Sequence, residues 1–142
     1  MAGSLVPKWV KQEICNVWQA EAWKLMLLSN VHDSNAGTQR YISDVSANEI
    51  SDTGGIYVAG GPTIAPGSKS VQPDGNNYYL DVGDLSIGPG SNLNYRYAVA
   101  YKNTGNPATS PIRAQVDFLT DQIVTNGTST IQWNALGLLY VQ

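Results

Sequence analysis

Between residues 93 and 118 the apolar and polar positions alternate in two runs, one on each side of a stretch of small residues. Leu93, Tyr95, Tyr97, Val99 and Tyr101 share one parity, while Asn94, Arg96 and Lys102, with small Ala98 and Ala100, share the other. A period of two is that of a half-buried strand. Ile112, Ala114, Val116 and Phe118 then alternate with Arg113, Gln115 and Asp117. The "KNTGNPATSP" between the runs has the Gly, Pro, Asn and Ser that turns select, so the pattern predicts a hairpin. Its loop exceeds a tight connection, which makes residues 103–111 an exposed contact loop and Asn103 and Asn106 candidate partner-binding residues.

Helical spacing is found at the start of the chain. Val10, Ile14, Val17 and Trp18 recur at that spacing after Ser4 and Pro7, predicting a helix of about three turns in an N-terminal arm over 1–22. The rest, 23–142, reads as one β domain. Beyond the hairpin, strands are predicted at 23–29, 55–60, 69–72, 77–82, 128–133 and 136–141, with edge strands near 40–45 and 85–87. "DTGG", "GGP", "APGS", "PDGNN", "GPGS", "NTGNP" and "TNGT" fall between them as turn signals, and "NGT" at 126–128 is read as a hairpin turn. The expected class is mainly β: a single antiparallel β-sandwich or small β-barrel with a short N-terminal helix.

Composition narrows the function. Only 13% of the 142 residues are charged, and the net charge is −3 with no cluster of Lys or Arg, which argues against a nucleic-acid partner. The longest apolar run, "LMLL", is far too short for a membrane span, and no secretory pattern opens the chain, so folding in the cytoplasm is expected. The single Cys15 reads as a small buried hydrophobe.

Candidate chemistry is sparse. His32 is the sole histidine, and although Asp33 follows it in "NVHDSNAG", that loop reads as solvated and no G-x-S-x-G elbow accompanies it. Asp81 with Asp84, or Asp74 with Asp81, offers oxygen ligands, but the glycine and glutamate of an EF-hand loop are misplaced. "GGPTIAPGS" lacks the lysine and helix of a phosphate loop. No catalytic residue, metal ligand or cofactor is assigned, and a non-enzymatic role is expected. Among the aromatics, parity places Tyr95, Tyr97, Tyr101 and Trp133 in the core. Trp9, Trp18 and Trp23 crowd the N-terminal segment, and Trp9, Val10, Ile14 and Trp18 are candidate partner anchors.

The order "WKLMLLSN", "YISDVSANEISDTGG", "AGGPTI", "YRYAVAYKNTG", "SPIRAQVDF", "TNGTSTIQWNALGLL" resembles a family of small β-rich virion proteins from tailed bacteriophages. Its pattern is a K-x-x-L-L strand, S-D-V-x-A-x-E-[IV]-S-x-T-G, a G-G-x-T step, an A-x-Y-A-V-x-Y strand (here with Tyr95 at the Ala position), S-P, V-D-F, and N-G-T with I-x-W, and the resemblance covers about residues 23–139. Departures lie in "TGGIYVAGG", at Pro62 and in "GDLSIGPGSN". The resemblance implies a structural virion component. The expectation is a capsid decoration, or cement, protein on the capsid surface, bound to the major capsid protein and to itself as a homotrimer. A tail- or neck-fibre module of the virion and a carbohydrate-binding module remain the alternatives.

Overall fold

The computed structural model describes residues 5–35, 37–134 and 137–141. They form two compact units. One comprises residues 22–64 and 85–131; the other comprises residues through Glu21, Ala65–Asp84 and those from Gln132 on. The chain is mainly β, with antiparallel sheets and one N-terminal α-helix, as the patterning predicts. Both sheets are open among the described residues, so neither closes into a barrel.

In the first unit the alternation at 93–102 belongs to a longer strand. β1 (Trp23–Leu28), β2 (Thr63–Ile64), β5 (Leu85–Lys102) and β6 (Ile112–Ile131) make a four-stranded sheet in the order β2-β1-β5-β6, taking β3 and β4 as the intervening strands of the other unit. Leu25 lies opposite Ala100 and Leu27 opposite Ala98, large against small, and all four are buried. β5 is therefore buried on both parities here, not on one as its alternation suggests. On the other face Met26, Leu28, Val99 and Tyr101 pack with Ile42 and Val45, flanked by half-buried Tyr97 and Ile112.

Several turn signals are spent inside strands. "GPGS" and "TNGT" do not reverse the chain: they face each other across the β5–β6 ribbon, Ser91 opposite Gly127, where the register shifts. Gly88 has φ 141°, and a β-carbon there would stand 2.5 Å from the Gly127 carbonyl oxygen. Asn126, at φ 46°, donates its backbone N–H to Asn92 Oδ1 at 2.9 Å. The strands expected at 85–87 and 128–133 are thus the start of β5 and the end of β6. Residues 40–45 supply a bridge from Tyr41 to Pro111 and a 3-10 turn, Ile42–Asp44, and the expected strand at 55–60 is not a strand at all.

In the second unit α1 (Lys8–Ala20) packs on β3 (Lys69–Asp74) and β4 (Asn77–Val82), and β7 (Leu139–Val141) completes a sheet in the order β3-β4-β7. Gly75 and Asn76 form the two-residue turn between β3 and β4, as "PDGNN" predicts. Pro7 precedes the helix, its carbonyl accepting from Val10 and Lys11, while Ser4 and the first residue of the strand expected at 136–141 lie outside the described residues.

Candidate binding surfaces

The helix packs by its polar side. Lys11 and Cys15 are buried, and burial pushes the Cys15 thiol up from its ordinary pKa. The Lys11 ammonium donates to Asn77 Oδ1 at 2.7 Å and to the Asn76 carbonyl at 3.3 Å, and Gln19 Nε2 donates to the Lys69 carbonyl at 2.9 Å. The Lys69 ammonium in turn donates to the Glu21 carbonyl, and Lys8 stands over the Tyr78 ring. Lys8, Lys11, Cys15 and Gln19 thus form one face. Val10, Ile14, Val17 and Trp18 form another, a continuous apolar strip lining a shallow groove with Glu13. Val17 and neighbouring Trp9 are each 61% exposed. Of the four N-terminal residues singled out by sequence, Val10, Ile14 and Trp18 lie together and half-buried in this groove, while Trp9 is open to solvent and does not line it.

Asn103 and Asn106 lie in the other unit, on the rim of a cavity of about 360 Å³. Its construction begins at β1, whose outer edge β2 covers only at Trp23 and Lys24. Beyond them irregular backbone takes over. Leu25 donates to the Pro62 carbonyl, Leu27 to the Tyr57 hydroxyl at 2.9 Å and Ser29 to the Asn48 carbonyl, while the Leu27 carbonyl accepts from Ile50. The phenol of Tyr57 stands where a neighbouring strand would place a carbonyl. Gly61 makes the close approach possible: at φ 81°, a β-carbon there would overlap the Leu25 carbonyl. The Tyr57 hydroxyl donates to Glu49 Oε1 at 2.8 Å, the Gly60 amide donates to the same oxygen at 2.6 Å, and Tyr101 donates its hydroxyl to the Gly60 carbonyl at 2.7 Å. Burial, then the Glu49 charge, pushes Tyr101 up to about 12, and burial raises Tyr57 further. Both phenols stay protonated and neutral.

The carboxylates of "SDVSANEISDTGG" share one task. Asp44 accepts from the amides of Tyr41 and Arg40, which hold its carboxyl below the usual range. Asp52 is held lower likewise, by the amides of Tyr57 first, then Asn92, Gly54 and Ile56. Together with Glu49 they shape the loop that covers β1. Opposite, residues 103–110 are fixed by their own bonds: Thr104 Oγ1 lies 2.8 Å from Thr109 Oγ1, Ser110 donates to the Asn106 carbonyl at 2.9 Å, and Asn103 Oδ1 and Asn106 Oδ1 accept from Gly105 and Ala108.

The loop around His32 is solvent-exposed, as its composition suggests, but His32 itself turns inward and is 3% exposed. Gln115 Nε2 donates to Gln39, which turns Gln115 Oε1 toward His32 Nε2 at 3.2 Å and the Ser34 hydroxyl at 2.7 Å. The ring also meets Tyr97 edge-on at 5.1 Å. His32 thus braces Gln115, and Ser34 gives its proton to the amide, not to the imidazole. Among the described residues no three His, Cys, Asp or Glu side chains gather as metal ligands, and no helix is long and apolar enough to cross a membrane. No protein-family model, curated protein or solved structure matches this chain.

Proposed function

We propose that this chain is a non-enzymatic structural protein of a phage virion, a capsid decoration protein that binds and stabilises the assembled shell of major capsid protein. The observation that carries the reading is the helix: α1 buries Lys11 and Cys15 on its own unit, leaves Val17 and Trp9 61% exposed and leaves Val10, Ile14 and Trp18 only half-buried. Apolar area left open to water gains free energy when a partner covers it. The ordered resemblance over residues 23–139 supports a structural role in the virion, and the major capsid protein is the partner proposed from it. A loop held by Asp44, Glu49 and Asp52, and a rim held by Thr104, Thr109 and Ser110, lose little entropy on docking. Each copy binds the assembled shell and not its parts, so many copies raise the cost of pulling capsomers apart. A cyclic trimer at the threefold points gives every protomer an equivalent contact. Burial of Tyr57, Tyr95 and Tyr101 leaves those rings unavailable as a sugar-stacking platform, which disfavours the carbohydrate-binding alternative.

The test is sedimentation of shells lacking this protein after mixing with wild type or with an Ile14→Asp, Val17→Asp double variant. Val17 is 61% exposed and Ile14 half-buried, so folding should persist, checked by circular dichroism, while shell binding is lost. A folded variant that coats shells at wild-type occupancy would refute the role of α1.

A further inference from the structure

The cavity beside β1 holds two opposite charges that form no ion pair with each other. Half-buried Lys24 lines it, its ammonium over Gly60, 3.7 Å from where a β-carbon would stand. Among the described residues no hydrogen bond or ion pair reaches that ammonium. Glu49, also lining the cavity, is tethered by the Tyr57 hydroxyl and the Gly60 amide and forms no ion pair with Lys24. With Met26, Ile42 and Tyr101 lining the same cavity, half-buried Lys24 has lost part of its water without gaining a direct ion-pair partner.

We infer that this cavity is a carboxylate socket, which seats a Glu or Asp side chain of a partner protein with Lys24 as its counter-ion. The inference rests on the function proposed above only in taking the partner to be a protein. A volume of about 360 Å³ admits one side chain with part of its backbone. A single carboxylate suits the charges better than a phosphate does. Lys24 is the one cation among the described lining residues, and Glu49 repels a second negative charge. The rim suits a peptide, because Asn103, Asn106 and the backbone at Gly105 present amide groups on a loop already fixed by its own bonds.

The test is a titration of the ¹⁵N-labelled full chain with acetyl-Gly-Glu-Gly-amide, read at the amides of Gly60, Gly105 and Ser110. Saturation in the millimolar range is expected for one unassisted carboxylate, with no matching response to the Gln counterpart. Lys24→Met should abolish the response and Lys24→Arg should retain it. Glu49→Gln keeps the acceptor for Tyr57 and Gly60 but removes the like charge, so it should bind the Glu peptide several-fold more tightly. The socket is overturned by equal shifts from the Gln peptide, an unchanged response in Lys24→Met, weaker binding in Glu49→Gln, larger shifts from inorganic phosphate, or no shift at all. None of these substitutions touches α1. Failure of the socket leaves the sedimentation test of α1 standing, and failure of α1 leaves the titration readable.

Discussion

Replacing Tyr57 by Phe removes one oxygen atom from the loop that covers β1 and leaves the ring in place. That oxygen accepts from Leu27 N–H at 2.9 Å and donates to Glu49 Oε1 at 2.8 Å, and Tyr57 is 5% exposed. Phe fills the same volume, so no cavity forms and the loss is one of hydrogen bonding. Leu27, 0% exposed, keeps a backbone N–H with no acceptor, and a buried unsatisfied donor costs about 1–3 kcal/mol. Glu49 loses one donor but retains Gly60, so its share is smaller. The expected destabilisation is about 2–3 kcal/mol by urea unfolding, with an unchanged m-value. Tyr101→Phe removes only the bond to the Gly60 carbonyl and should cost about 1 kcal/mol. A Tyr57→Phe protein within about 0.5 kcal/mol of wild type, the range of an ordinary surface change, would show that the phenol does not stand in for a strand carbonyl.

Gly61→Ala should cost at least about 3 kcal/mol, because a β-carbon meets the Leu25 carbonyl and φ is 81°; a soluble variant with a wild-type melting temperature would contradict the close approach. His32→Ala should cost about 2 kcal/mol by urea unfolding through loss of the Gln115 bond and the Tyr97 contact, whereas a solvated histidine would cost next to nothing. Burial lowers the Lys69 ammonium to about 8, against about 10.4 in an unfolded chain. Between those values the unfolded state holds more protons, so stability should rise from about pH 8 toward pH 10 and the rise should vanish in Lys69→Met. Tyr57, Tyr95 and Tyr101 are raised by burial and act oppositely, their stabilising share being lost above about pH 10, so the urea midpoint should pass through a maximum near there.

Local patterns carried much of the fold. Val10, Ile14 and Val17 mark α1, and the alternations at 23–29, 77–82, 93–102 and 112–118 mark strands that are present. Periodicity marks a helix without saying which side packs, and here Lys11 and Cys15 are the buried side chains while Val10, Ile14 and Trp18 are half-buried and Val17 is exposed. "GIYVAG" has the alternation of a strand, but glycines at positive φ on both sides of it, Gly55 and Gly60, leave Tyr57 as its one buried side chain. "GPGS" and "TNGT" have the same chemistry in a turn and in a bulge, and the difference is set by the partner strand. The cavity was out of reach for a like reason. Lys24 and Glu49 are 25 residues apart and the Tyr101 that joins them is farther still; the pairing of Lys24 with Tyr101 and the Glu49–Gly60 bond bring the three together. Of the expected contact residues, Asn103 and Asn106 lie on that cavity's rim, and the signal that would have added Lys24 is a lone cation in an otherwise apolar strand.

The most direct test of the attachment reading is a copy count of this chain in purified virions by quantitative mass spectrometry against the major capsid protein. A decoration protein should be present in numbers that scale with the capsid lattice, on the order of one trimer per threefold point. A dozen or so copies per particle would place it at a tail or neck, and its absence from particles would contradict the account.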